Sequence, residues 1–213
     1  MSFTDELGQL LPADLPFRGE CIAGAARHLE LIVETNRQFN LTRIVSPREA
    51  AIKHVLDSVL PWRLFEGARE VADAGSGAGF PGIPLSLVLP GTRFTLLEST
   101  QKKARFLELV VRRLDLPNVQ VRADRAEEWL NTHRADIVTA RAVAPLNRAA
   151  SLFAPALRGG ARILLYKGPD AATEIAEAAP ETAKRQLRLR IIERYELPDA
   201  MGTRTVVEMK RVG

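Results

Sequence analysis

At 213 residues, 46% hydrophobic and 26% charged, the chain has the length and apolar content of one ordinary domain with room for a short appendage. A single cysteine, Cys21, excludes an internal disulfide and a cysteine zinc cluster, and no apolar run of membrane length or signal-peptide pattern is present, so a soluble cytoplasmic protein is expected. The net charge of +4 is compatible with a polyanionic partner and equally with a solvated basic surface.

Residues 17–39 carry Ile22, Ala26, Leu29, Ile32, Val33 and Phe39 near helical spacing and predict one amphipathic helix. Ser46-Pro47, a cap followed by proline at the first helical position, starts a second helix that stops at Pro61. Neither has a strand of its own, so residues 1–66 are read as a helical appendage packed on a main domain of residues 67–213. From Val71 onward, strands alternate with helices. Strands are expected near Val71, at Phe94 to Leu97, Val119 to Val121, Ile137 to Ala140 and Ala161 to Tyr166; helices are expected over 100–114, Arg125 to Leu130 and Leu146 to Leu157. That alternation means βαβ units, a mostly parallel sheet and right-handed crossovers. Leu187 to Leu197 and Thr203 to Met209 lie a short turn apart, which predicts an antiparallel hairpin at the sheet edge.

The stretch from Val71 to Gly82 carries the most chemistry. Gly75, Gly77 and Gly79 alternate, so the backbone is free to take positive φ and to approach a ligand closely. Asp73, at the strand tip ahead of them, repels a pyrophosphate but attracts a cationic or hydroxyl-bearing ligand. S-adenosylmethionine has an ammonium, a sulfonium, a ribose and no phosphate, and Asp-x-Gly-x-Gly-x-Gly points to it. The competing reading is a dinucleotide site: Gly77-Ala78-Gly79-Phe80-Pro81-Gly82 satisfies that fingerprint, and Glu98 follows about 20 residues later. Against it, the glycine that closely follows the strand is Gly75, and counted from there the third glycine falls one residue early.

Taken together, Asn40-Leu41-Thr42, His54-Val55-Leu56-Asp57-Ser58, the run from Asp73 to Leu85, Arg141-Ala142 and Lys167-Gly168 make the chain resemble the bacterial 16S ribosomal RNA small-subunit methyltransferase G family, historically the glucose-inhibited division protein B family. The resemblance runs from about Asn40 to the C-terminus. It implies a Rossmann-like α/β fold and methyl transfer from S-adenosylmethionine to N7 of a guanine in small-subunit ribosomal RNA. Glu98 stands where Asp is common in the family and Phe80 where Leu is common. The matching cofactor-contacting positions are Gly75, Phe80, Ala126, Glu127 and Arg141.

Physical reasoning puts these residues in one crevice, because ligands of open α/β sheets bind beyond the carboxyl ends of the strands. Glu98 can accept two hydrogen bonds from a ribose diol, and Asp73, Gly77 and Gly79 complete the expected cofactor set. Pyrimidine carbon methylation needs a cysteine nucleophile, and Cys21 lies far from any strand end. Exocyclic amine methylation typically uses an Asn/Asp-Pro-Pro-aromatic loop, absent from Thr139 to Pro145. Guanine N7 already has a free lone pair, so no essential base is expected; Arg141, Lys167 and His54 are positioning candidates. Lys167 is the candidate for RNA phosphate, and His54 with Asp57 resembles a catalytic pair or a structural contact. His28 and His133 show no ligand spacing with His54, so no metal is expected. Lys102, Lys103, Arg105, Arg112 and Arg113, with Arg37, Arg43 and Arg48 upstream, form a candidate footprint for RNA or an assembled small subunit. A monomer is expected. An NAD-dependent oxidoreductase and a non-catalytic ribosome assembly factor remain as alternatives.

Overall fold

A Ser2 cap opens the first helix: its hydroxyl accepts from the Asp5 amide while the Asp5 carboxylate takes the Ser2 amide. The structure, a computed structural model, describes residues 1–212. This first helix, α1 (Phe3–Leu10), has no counterpart among the expected elements. Helix α2 (Arg18–Asn36) follows and ends earlier than its apolar spacing suggests. Asn36 stops it: its side chain accepts from the Leu41 amide at 2.7 Å and donates to the Thr42 carbonyl at 2.8 Å, folding the chain back. Next come α3 (Pro47–Ala50), a wide π turn over Ala51–Leu56, and α4 (Asp57–Val59).

The strands β1 (Glu70–Ala74), β2 (Arg93–Leu97), β3 (Val119–Arg122), β4 (Ile137–Arg141) and β5 (Arg162–Lys167) are mutually parallel. The antiparallel pair β6 (Leu187–Glu196) and β7 (Thr203–Arg211) completes a seven-stranded sheet of order β3-β2-β1-β4-β5-β7-β6. The returning strand β7 pairs with β5, which leaves β6 at the edge. Val71 to Ala74 are all buried, as a strand covered on both faces requires.

Helices α5 (Gly82–Val88) and α6 (Gln101–Leu114) cover one face together with the N-terminal helices. One apolar core there joins Leu7, Leu29, Ile32 and Val55 to Ile83, Leu107 and Leu164. The other face carries α7 (Ala126–Thr132), α8 (Leu146–Leu152), α9 (Ala154–Arg158) and α10 (Ala171–Lys184), packed through Leu130, Phe153, Leu157 and Ala178. The expected helix over 146–157 is two helices, broken at Phe153 ahead of Pro155. Helix α10 is also additional to the expected set; its buried stripe is Ala171, Ala178 and Thr182, and Pro180 lies inside it. Among the described residues, no helix is long and apolar enough to cross a membrane.

Candidate active site

The strand order reverses between β1 and β4, so the chain departs in opposite directions from two adjacent strand tips and a crevice opens above them. The glycine turn lies on its floor, with φ of +71° at Gly75, +58° at Gly77 and +101° at Gly79. Its amides are almost all taken within the chain. Gly75 and Ser76 donate to the Leu97 carbonyl, Gly79 and Phe80 to the Ser76 carbonyl, Gly77 to Glu98 Oε2 at 3.0 Å, and Gly82 to Asp73 Oδ2 at 3.0 Å. A turn that holds a pyrophosphate must present those N–H groups outward, with a free helix start behind them. Here the helix start is already capped by a carboxylate, so the dinucleotide reading has no seat for its phosphates.

Asp73 therefore does not face the crevice. It is fully buried, a Cβ on Gly82 would lie 2.7 Å from its Oδ2, and burial raises its carboxyl to about 6. Its Oδ1 has no hydrogen-bond partner among the described residues. Through its bond to Gly82, Asp73 holds the glycine turn against α5. Glu98 directly follows β2 and ties two elements together, accepting from Gly77 through Oε2 and from the Thr100 amide through Oε1 at 2.7 Å. Each oxygen retains acceptor capacity beyond that one bond.

Beside the turn, a cavity of about 200 Å³ is lined by Gly75, Leu97, Ser99, Asp124, Arg125, Ala126, Glu127, Val143 and Leu152. Gly75, Ala126 and Glu127 are thus brought together, with Ser99 and Asp124 as further lining that sequence reasoning missed. Gly75 has to be small: a Cβ built there lies 2.9 Å from Val143 Cγ2. Carboxylates, backbone edges and the apolar Leu97 and Leu152 suit an adenosine with a cationic tail, and the crowded approach at Gly75 suits a ligand seated against the backbone.

A second cavity, of about 460 Å³, opens at the tips of β4 and β5, lined by Ile44, Lys53, His54, Asp57, Arg141, Ala142, Tyr166, Lys167, Gly168, Glu174 and Arg204. Arg141 is fixed on its wall: Nη1 donates to the Lys53 carbonyl at 2.9 Å and to Asp57 Oδ2 at 3.1 Å, and the guanidinium carbon lies 5.4 Å from the centre of the Phe80 ring. Phe80 is buried between two imidazoles, 4.5 Å from His54 and 4.8 Å from His28, so its ring supports Arg141 and His54 from beneath. His28, whose Nε2 meets the Ala78 carbonyl at 2.8 Å, is a fully buried support beneath Phe80 that sequence reasoning missed. Its signal was its position on the buried face of α2.

These contacts also place the remaining candidate residues. His54 and Asp57 do not pair; the π turn separates them, and His54 Nε2 meets Thr42 Oγ1 at 3.2 Å while Asp57 binds Arg141, Tyr195 and Arg204. The Lys167 ammonium donates to Glu174 Oε2 at 2.7 Å and to the Ala144 carbonyl at 2.9 Å. Arg48 is engaged by Glu6 and Asp199, which raise its pKa further. Lys102, Arg105, Arg112 and Arg113 are exposed, and among the described residues they make no ion pair. α6 starts beside Glu98, so Lys102 and Lys103 stand near the crevice, whereas Arg112 and Arg113 lie roughly 15 Å further along the helix. A hollow of about 770 Å³ between α8 and α10 shares Glu127, Val143 and Leu152 with the cavity beside the turn. Among the described residues, no group of three His, Cys, Asp or Glu is arranged to hold a metal ion.

Comparison with known proteins identifies the family and the fold. The family model described as rRNA small subunit methyltransferase G matches residues 22–199. A protein of Solibacter usitatus named ribosomal RNA small subunit methyltransferase G is 73% identical over 210 residues, covering 99% of this chain and 100% of the relative. One of the same name from Carboxydothermus hydrogenoformans is 37% identical over 193 residues, covering 87% of this chain and 81% of the relative. Among solved structures, a Bacillus cereus O-methyltransferase in complex with SAH shares the fold at a TM-score of 0.57 and 19% identity, covering 86% of this chain and 90% of that one.

Proposed function

The chain belongs to the rRNA small subunit methyltransferase G family, and from that premise we propose that it methylates N7 of a guanine in small-subunit ribosomal RNA, with S-adenosylmethionine as donor. The observation that carries this reading is a glycine turn whose amides are already bonded internally and whose Gly75 lines one cavity, with a second cavity at the β4 and β5 tips. The first feature suits a donor without phosphates, and the second receives an acceptor base taken out of its stack. Gly75, Glu98, Ala126 and Glu127 hold the donor; Arg141 and His54 shape the acceptor cavity. Lys102, Lys103 and the exposed Arg43, next to the cavity residue Ile44, draw in the RNA backbone. Residues 1–66 act as an appendage of the methyltransferase domain, and the enzyme works as a monomer in the cytoplasm.

When bound, S-adenosylmethionine supplies a methyl group carried on a sulfonium. The acceptor N7 has a lone pair at neutral pH, so the chain has no proton to remove and its task is alignment. The cavity's polar groups fit that task. Burial, with the Arg141 charge adding to it, lowers His54 to about 3, so this imidazole stays neutral throughout the physiological range. Single-turnover rates on saturated subunits are expected to stay nearly flat from about pH 6.5 to 8.5, and His54→Gln is expected to keep the rate within about threefold. A rate that climbs tenfold per pH unit, with the climb lost in His54→Gln, would make the histidine a base.

Glu98 is expected to matter through its two tethers and its free acceptor capacity. Glu98→Ala should weaken S-adenosylmethionine binding by about 1–3 kcal/mol, with Glu98→Gln, which keeps one acceptor oxygen, falling between it and the native protein. Calorimetry checks the order; native affinity in Glu98→Ala would remove Glu98 from the site.

The activity itself is tested by transfer of labelled methyl onto small subunits from a strain lacking this protein, followed by chemical cleavage at N7-methylated guanine. Label at a single guanine is the expected result. Binding of RNA without transfer would favour an assembly factor, and binding of NAD in place of S-adenosylmethionine would favour an oxidoreductase.

A further inference from the structure

In the cavity at the β4 and β5 tips, Lys167 Nζ and Glu174 Oε2 lie 2.7 Å apart, a cation and a carboxylate side by side on one wall. Both are held in place. Lys167 donates to the Ala144 carbonyl, and Glu174 Oε2 also accepts from the Leu146 amide at 3.3 Å. Glu174 Oε1 makes no hydrogen bond among the described residues, and an ammonium has three protons of which two are engaged. One donor and one acceptor therefore remain, adjacent and in fixed order.

Resting on the function proposed above, we propose that the Lys167–Glu174 pair selects the base, reading guanine through O6 and N1–H. Guanine offers an acceptor, O6, next to a donor, N1–H, with the exocyclic amine beyond. Adenine offers the reverse order, an N6 donor next to the N1 acceptor. Lysine only donates and a carboxylate only accepts, so the pair cannot invert itself as an amide can. Holding O6 and N1–H also leaves the neighbouring N7 uncovered, which the reaction requires. Glu174 is thus a specificity residue as well as an anchor of the 142–146 loop.

The test separates those two roles by base preference. The protein is saturated with S-adenosylhomocysteine, which closes the donor site, and titrated with the monophosphates of guanosine, inosine and adenosine. The native chain is expected to bind the guanosine and inosine nucleotides at least fivefold more tightly than the adenosine nucleotide. Glu174→Gln, whose amide can present either atom, is expected to bring that ratio below fivefold while S-adenosylhomocysteine affinity is unchanged. A native ratio below fivefold, or absence of any saturable binding, overturns the proposal. So does a Glu174→Gln protein that weakens all three nucleotides by one common factor, the mark of a loop anchor alone. Native protein that methylates subunits yet shows no base preference sinks this reading and leaves the proposed activity standing.

Discussion

Gly75→Val is expected to weaken S-adenosylmethionine binding by at least about 100-fold, a loss near 2.7 kcal/mol, in a protein that still folds. Two effects act together. With φ at +71°, position 75 is in the left-handed region, which a β-branched residue occupies only under strain of about 1–3 kcal/mol. Rotating out of it would break the bonds from the Gly75 and Ser76 amides to the Leu97 carbonyl, so the strain has no easy release. The added Cβ also lies 2.9 Å from Val143 Cγ2, so the branched side chain fills the space between the turn and the 142–145 loop. A domain with stability on the order of 5–15 kcal/mol survives that strain, whereas a ligand seated against the backbone does not survive the loss of its space. Gly75→Ala combined with Val143→Ala removes the clash but keeps the positive φ, and should recover part of the affinity. Calorimetry with thermal unfolding reads both effects. A folded Gly75→Val protein that binds within threefold of native would show that the donor sits elsewhere.

The parts of this molecule that were legible in the sequence are those written in local chemistry. Buried runs such as Val71 to Ala74, punctuated by Gly75 or by the Gly159-Gly160 pair, announce parallel strands, because only short apolar residues between turn formers fit a sheet covered on both faces. The glycine spacing marks where backbone must turn tightly. Helix α1 carried its own signal, the Ser2 and Asp5 capping box, in a segment too short to show convincing periodicity. Helix α10 hid because its inner face is alanine and threonine, with Pro180 inside. What sequence could not carry was the choice of partners. Arg141 and Lys167 were recognised as cations near the reactive centre, yet their counter-charges come from Asp57, 84 residues away, and from Glu174 on the unforeseen helix. The π turn over Ala51–Leu56 shows the same limit, because one widened turn is enough to send His54 to Thr42 and Asp57 toward the hairpin.

Asp57→Ala is the second change expected to have a large effect, and it acts on stability. Asp57 is 1% exposed and stands where three parts of the chain meet. It accepts from Arg141 on β4 at 3.1 Å, from Arg204 on β7 at 3.4 Å, and through Oδ1 from the Tyr195 hydroxyl on β6 at 3.0 Å. Tyr195 also donates to the Asp57 carbonyl at 2.9 Å, so the hydroxyl keeps a partner after truncation, but the two guanidinium groups lose theirs. Arg141 retains only the Lys53 carbonyl, and with its side chain 18% exposed it has little water to turn to. Removing one partner of a buried ion pair costs about 3–5 kcal/mol, mainly because the remaining charge is left uncompensated. For a chain of this length that is a fall of about 6–20 °C in midpoint temperature. Asp57→Asn keeps one acceptor oxygen and should lose less. Adding Arg141→Met to Asp57→Ala removes the more buried of the two stranded charges, so the double variant should be more stable than Asp57→Ala alone, a coupling that simple loss of packing does not produce. A midpoint that falls by less than about 3 °C in Asp57→Ala would mean that the cluster only accompanies the joining of helix to hairpin and does not secure it.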